Sequence, residues 1–445
     1  MLITGAITAI VGIFGALLFM LLFWALYRSI AVGAALVLLL LVFETIYVYL
    51  PGIRAGILLY PEDFIFLMLG TAATIRYLTG RRLLEIPKTW LVYGAMLFVN
   101  FAIGLPKFGT YAGVDFRQFF YFYTGSIYFM SFPVSTRSLS RVMSLSVIGA
   151  LLICVVAYYR WTMMALGLDD YVWLDTSGIA GRVIASSPTV WLTIAMVVVI
   201  FAFLRGIAPK AWLVALPVLM ITIVGSQQRT VWAASLAALV LSFAMARQGR
   251  GQLVATFFLL GALGVAVAYP MMTGGHLEPV TQTLQSSAAK GLSTGSGTFV
   301  GRVLFWQEHL KQYASWNPIY QMVGKPFGTG YGVWVGGREF AQIPHNHYVQ
   351  TLLRTGLIGL LLFLATFGML LWRLPKLPEE FSAYGDTIWV ILCVVLIFCI
   401  TYSPHFSMSI PLGLGLALMV QVYRPSSQRA KGRESGTAGR PAYLP

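Results

Sequence analysis

Thirteen apolar stretches joined by short polar connections leave this 445-residue chain few ways to fold. A bilayer core about 30 Å thick needs roughly 20 apolar residues per helix. The stretches run over 6–27, 30–50, 58–78, 90–105, 119–132, 142–159, 190–204, 212–224, 231–245, 253–269, 352–372, 387–402 and 407–423. Twelve is the count if one of the shorter ones is re-entrant. Hydrocarbon offers no water to free backbone groups, so segments that cross it must close their hydrogen bonds internally, as helices do. The expected fold class is an all-α polytopic integral membrane protein with 12–13 transmembrane helices. Composition agrees, since only 10% of the residues are charged against about 25% in soluble domains. No convincing small-residue cleavage site follows the first stretch, which therefore reads as a retained span.

A net charge of +15 would suggest nucleic acid on a soluble protein; here most of it follows topology. Basic residues cluster at Arg28, at Arg76, Arg81, Arg82 and Lys88, at Arg137 and Arg141, at Arg205 and Lys210, at Arg247 and Arg250, at Arg373 and Lys376, and from Arg424 to Arg440. Placing these clusters on the cytoplasmic side satisfies the positive-inside rule in alternate loops. It assigns 18 of the 30 Lys and Arg residues to the inside and leaves 12 outside, where they need another explanation. The odd span count then puts the N-terminus outside and the basic C-terminus inside.

The pattern divides the chain into a first helical bundle (1–270), a long external loop (271–348), a C-terminal group of spans (349–424) and a polar, disordered cytoplasmic tail (425–445). Within the loop, 281–296 is rich in Gly, Ser, Thr and Gln and reads as a mobile lid. Val303, Leu304, Trp306 and Leu310 recur at helical spacing, predicting an amphipathic helix over 300–313 on the membrane face. The glycine- and proline-rich run 324–332 allows tight turns and close backbone approach. Cys154, Cys393 and Cys399 lie inside apolar stretches without a paired spacing, and read as packing residues.

The external ends hold the candidate chemistry. His345 and Asn346 follow Pro344 at the mouth of the span that begins near Leu352. An imidazole titrates near neutrality and can take a proton from a sugar hydroxyl; the plainer reading makes His345 a cap for the next helix. Arg117, Arg182, Arg229, Arg302 and Arg338 all fall on the external side. Ionisable groups near membrane depth are functional or paired, and a guanidinium presents a planar fork suited to phosphate oxygens. The plainer alternative for each is snorkelling to headgroups or pairing with a carboxylate. A metal held by His345 and His347 lacks further ligands at suitable spacing. His276, His309 and His405 read as structural. No phosphate-binding Gly-x-x-x-x-Gly-Lys loop or dinucleotide fingerprint is present, and the cytoplasmic loops are too short for a nucleotide-sugar domain. A transporter would place charges at mid-span; here they sit at span ends, which favours an enzyme.

An ordered set of motifs resembles the O-antigen ligase/polymerase superfamily of bacterial envelope glycosyltransferases. The set comprises Gly181-Arg182-Val-Ile, Ser226-Gln-Gln-Arg229-Thr, Gly301-Arg302-Val-Leu-Phe-Trp306, Gly328-x-Gly330-Tyr-Gly, Pro344-His345-Asn346-x-Tyr348 and Gly356-Leu-Ile-Gly359. The resemblance covers roughly 181–374 and departs where Gln228 stands before Arg229 in place of a hydroxyl residue. It implies a GT-C-like fold and an undecaprenyl-pyrophosphate-linked glycan donor. It also implies inverting transfer without metal or other cofactor, on the periplasmic side of the bacterial inner membrane. His345 would be the base, and Arg182, Arg229 and Arg302 would hold the diphosphate. From their own positions rather than from the resemblance, Asn346, Arg117 and Arg338 are further candidate substrate contacts. The acceptor would be a saccharide, as in an exopolysaccharide or O-antigen polymerase, or lipid A-core, as in a ligase. A loose likeness of Leu353-Arg354-Thr355-Gly356 to exopolysaccharide members favours the polymerase. The lipid bilayer and other envelope polysaccharide assembly proteins are candidate partners; nucleic acid is not.

Overall fold

The computed structural model describes residues 16–47, 52–55, 57–80, 86–166, 183–245, 251, 298–335, 338–341 and 343–423. The apolar stretch 253–269, the glycine- and serine-rich 281–296, Arg182, His276 and the tail 425–445 lie outside the described residues, as do the side chains of 335–340.

Helices occupy the described parts of the other twelve apolar stretches. They are α1 (Ala16–Arg28), α2 (Ile30–Ile46), α3 (Pro61–Gly80), α4 (Lys88–Phe108), α5 (Thr110–Met130), α6 (Thr136–Ala165), α7 (Ser186–Arg205), α8 (Ala215–Gly225) and α9 (Arg229–Met245). After the loop segment come α10 (Thr298–Ala314), the short α11 (Pro318–Val323), α12 (His347–Arg373), α13 (Glu379–Cys399) and α14 (Ser409–Val422). Two antiparallel hairpins, Ile53–Ala55 with Ile57–Leu59 and Gly332–Val335 with Arg338–Ala341, are the described strands. Five of the described helices are both long and apolar enough to cross a membrane, and six if α1 and α2, bent 118° apart, make one broken span. The chain is thus an all-helical polytopic membrane protein, several of whose helices are shorter or more polar than a full span.

The bundle forms around α7. It is apolar on every side, so no face prefers solvent or lipid, and 83% of its central window is buried against α6, α8, α9 and α13. Around it α2 packs on α6, α5 on α3 and α14, and α4 on α12. Charges sort to the two ends. At one, Arg76 donates to Ser131 Oγ at 2.8 Å, Arg205 pairs with Asp386 at 2.8 Å, and Arg373 lies over the Tyr423 ring. At the other, Asp63 begins α3 and Arg117 lies in the first half of α5, so their ion pair (2.9 Å) marks the opposite end.

The amphipathic helix expected over 300–313 is present as α10. His309 is buried, Trp306 and Tyr313 pack on Tyr331, Val349 and Leu353, and Leu304 and Leu310 remain exposed. The span expected from Leu352 instead begins at His347, because Asn346 caps it five residues earlier.

Candidate functional site: a polar hub between the last two helices

The connection between α13 and α14 gathers the candidate residues. Ile400 and Thr401 continue from α13, and Phe406–Met408 form a 3-10 turn before α14. Thr401 donates to Thr230 Oγ1 at 2.8 Å, tying the hub to the residue after Arg229. Arg302 donates a long hydrogen bond, 3.4 Å, to the Thr401 carbonyl and places its guanidinium carbon 5.0 Å from the Tyr402 ring centre. His345 meets the same ring edge-on at 6.2 Å. Tyr402 stacks on Phe398 at 5.0 Å, which holds it as a rigid platform. Ser403 donates to Gln350 Oε1, joining the hub to α12.

The Arg229 turn is strained where it must place a charge. Gln227, directly before it, has φ 57°, the only positive value at a non-glycine residue among the described residues. Side chains rarely accept that backbone region, and it persists where surroundings impose it. Gln228 accepts a hydrogen bond from Ser186 Oγ at 3.1 Å and donates to the Ile184 carbonyl at 3.4 Å. The residue that departs from the usual hydroxyl therefore ties the turn to the segment just after Arg182. These bonds bring 184–186, 228–230, 401–402, Arg302 and His345 into one connected cluster.

The five arginines divide. Arg117 is taken up structurally: its Nε pairs with Asp63 Oδ1, its Nη2 donates to the Leu58 carbonyl at 2.8 Å, and it lies over Tyr60. Arg229 and Arg302 are half-buried, and neither has a carboxylate partner among the described residues. Arg338 lies on the second hairpin, in register with Val335.

Adjacent polar residues beside His345 take different roles. Asn346 Oδ1 accepts from the Val349 amide at 3.1 Å and caps α12, so the cap considered for the histidine belongs to the asparagine. His347 is 2% exposed, enclosed by Phe119, Phe122 and Phe363, and bonded to Thr351. It therefore occupies the aromatic core while His345 faces the hub. No group of three or more His, Cys, Asp or Glu suited to a metal occurs among the described residues. Part of His345 stays open to solvent. Desolvation of its ring, and secondarily the charge of Arg302, push its pKa below the usual 6.5. The imidazole is thus neutral at pH 7, with a lone pair free to accept a proton.

The glycine-rich run makes close approaches, but to protein backbone. Gly324, at φ 80°, lies where a Cβ would come within 2.4 Å of the Arg354 backbone; Gly356, at φ 65°, would meet the Met322 carbonyl at 2.2 Å. Arg354 is 1% exposed in its side chain. Its Nε sits 2.7 Å from Asp115 Oδ2, Nη2 donates to Gly330 O at 2.9 Å, Nη1 reaches Thr329, and its guanidinium lies over Tyr331. Asp115 also accepts from the Gly328 amide and the Tyr331 hydroxyl. This lock clamps the run to α5 and α12, and so fixes the root of the hairpin that leads to His345.

Sequence reasoning missed Thr401 and Tyr402, reading both as the end of a span. Their signal was the polar, proline-containing break 401–407 between two apolar stretches, which the same topology puts at the external end.

Two arginines without carboxylate partners among the described residues and a histidine thus sit at one end of a polytopic helical bundle, an arrangement suited to an anionic ligand. Among known families, residues 213–364 match the family model described as O-antigen ligase, which supports the resemblance to the O-antigen ligase/polymerase superfamily. The match holds Arg229, Arg302, Arg338, His345 and Asn346, and leaves Arg117 and Arg182 outside it. No curated protein matches the chain. At the level of the matched family, this supports glycan transfer of the ligase or polymerase kind.

Proposed function

We propose that this protein transfers a glycan from an undecaprenyl-pyrophosphate carrier to a sugar hydroxyl, as a polymerase of envelope polysaccharide. The alternative reading, a ligase acting on lipid A-core, uses the same donor chemistry. The observation that carries the proposal is Arg302, which shares the Tyr402 ring with a neutral His345, together with Arg229, whose neighbour Thr230 bonds to Thr401; neither arginine has a carboxylate partner among the described residues. Two half-buried arginines without carboxylate partners among the described residues favour an anionic ligand, and a lipid diphosphate fits their planar forks.

In the proposed reaction, the acceptor oxygen attacks the anomeric carbon from the face opposite the diphosphate. His345 takes the hydroxyl proton, the bond from the anomeric carbon to the diphosphate oxygen breaks, and the configuration inverts. The leaving oxygens gain charge as that bond breaks, and Arg229 and Arg302, with Arg182, stabilise it. The chain's own residues supply the proton acceptor and the charge stabilisation, with no metal invoked. Removing one such arginine costs about 2–4 kcal/mol of transition-state stabilisation, roughly 30- to 1,000-fold in rate. By the positive-inside rule the hub faces the periplasm and the Arg76, Arg205 and Arg373 end faces the cytoplasm of a bacterial inner membrane. Arg338 and the Asn346 carboxamide nitrogen are left for secondary substrate contacts; Arg117, held by Asp63, would support the site from behind.

The test is complementation of a deletion strain. His345→Ala is expected to insert normally yet yield no product, and Arg229→Lys to be nearly as inactive as Arg229→Ala. Full transfer by His345→Ala sinks the base assignment. Unlinked polymer lost with the deletion supports the polymerase, whereas loss of glycan from lipid A-core alone supports the ligase.

A further inference from the structure

The short helix α11 carries its polarity inside out for a segment in water. Ile319, Met322 and Val323 stand at i, i+3 and i+4, so they share one face. They are 71%, 45% and 36% exposed. Gln321 lies opposite and turns into the protein: its Nε2 donates to the Ala314 and Trp316 carbonyls at 2.9 Å, and its own carbonyl accepts from Tyr313 Oη. Asn317 caps the helix and Pro318 starts it, which fixes the orientation of that face. A water-facing helix would show the reverse arrangement, with glutamine outside and the apolar residues within.

What covers the apolar face follows from its neighbours. The C-terminal end of α11 touches the kink of α12, where Gly356 leaves room for the Met322 carbonyl. The next residues of α12, Leu357, Ile358, Leu361 and Leu364, are exposed apolar side chains on a helix long enough to span a bilayer. The exposed strip on α11 thus continues the lipid-facing strip of α12 across the kink. Just beyond it, Lys325 lies 4.2 Å from the Trp316 ring centre and has no carboxylate partner among the described residues. An aromatic ring with a lysine beside it is the composition of a membrane–water boundary.

We propose that α11 is an interfacial anchor, with Ile319, Met322 and Val323 seated in the bilayer leaflet where α12 emerges and Lys325 among the lipid headgroups. The anchor sets the depth of α10, which it holds through Gln321, and hence of Arg302. A diphosphate lies at headgroup level, so the anchor keeps the cationic cluster at the height of that charge. The anchoring itself does not depend on the sugar transferred or on His345 being the base.

The experiment uses the full-length protein in nanodiscs of phosphatidylethanolamine and phosphatidylglycerol, one copy per disc. Ile319→Cys and Met322→Cys are labelled separately with an environment-sensitive fluorophore, as is Lys311→Cys, an exposed control on α10. Unsubstituted protein corrects for labelling of the native cysteines, two of which are buried. The labels at 319 and 322 are expected to be quenched by doxyl groups carried on lipid, and to be several-fold less sensitive to aqueous iodide than the label at 311. Iodide quenching equal to the control overturns the anchor. Shielding from iodide without quenching by doxyl lipid also overturns it, because protein rather than lipid then covers the face.

Discussion

Replacing Asp115 by Asn tests whether the charge pair with Arg354 holds the approach to His345. At 2.7 Å, two unit charges attract by roughly 6 kcal/mol at an effective dielectric constant of about 20, before the cost of dehydrating both. Asparagine can still accept a hydrogen bond from Tyr331 or Gly328 but leaves the Arg354 charge buried and uncompensated. Breaking a buried pair from one side costs about 3–5 kcal/mol. If about 3 kcal/mol falls on local opening of the run after Gly324, the open population rises roughly 100-fold. Limited chymotrypsin digestion after Phe327, which is buried in that run, reads that population when opening is fast relative to cleavage. Asp115→Asn is expected to speed cleavage by about that factor and to lower transfer activity with it. The double variant Asp115→Asn/Arg354→Gln removes both charges and is expected to be less open than Asp115→Asn alone, as coupling between contacting residues requires. Cleavage within about threefold of wild type for Asp115→Asn, or a double variant looser than the single by the full cost of both, refutes the charge argument.

Two further outcomes follow from the site and its support. Because the base is the neutral imidazole and its pKa is lowered, activity should be full at pH 7 and fall on the acid side, with a midpoint below 6.5. Arg302→Gln removes one cause of the lowering, so the acid limb of its residual activity should move to higher pH; an unmoved limb in the pH–rate profile removes Arg302 from the neighbourhood of the base. Gly356→Ala imposes a side chain at φ 65°, ψ −170° against the Met322 carbonyl. It should cost about 3 kcal/mol, seen as faster thermal inactivation in detergent, and wild-type inactivation rates would show that α12 bends without strain.

Hydropathy alone located the helices, because a bilayer demands long apolar runs whatever their neighbours. The described parts of twelve stretches form helices, and the α10 helix appeared where its 3.6-residue period placed it. Boundaries were less legible: α12 starts at His347 because Asn346 supplies a cap, a local hydrogen bond that hydropathy does not sense. Candidate residues were legible as types. His345, Arg229 and Arg302 stood out because charge near a membrane is costly and needs a reason. Their partners were not legible, since pairing is a matter of distance between segments far apart in sequence. Arg117 and Arg302 look alike in the chain, yet Asp63 reaches the first and no carboxylate among the described residues reaches the second. The glycine run illustrates the same limit, because a need for close approach does not say to what, and here it is the Arg354 backbone.

By itself, then, the sequence determined that this protein is a bundle of apolar helices with its unexplained cations at one end, because burial of apolar runs and segregation of charge act residue by residue. Only the tertiary structure decided which arginines find a carboxylate among the described residues, that Tyr402 contacts both Arg302 and His345, and that α11 turns its apolar face outward. Those are outcomes of packing, in which each side chain takes the partner that the fold brings within a few ångströms.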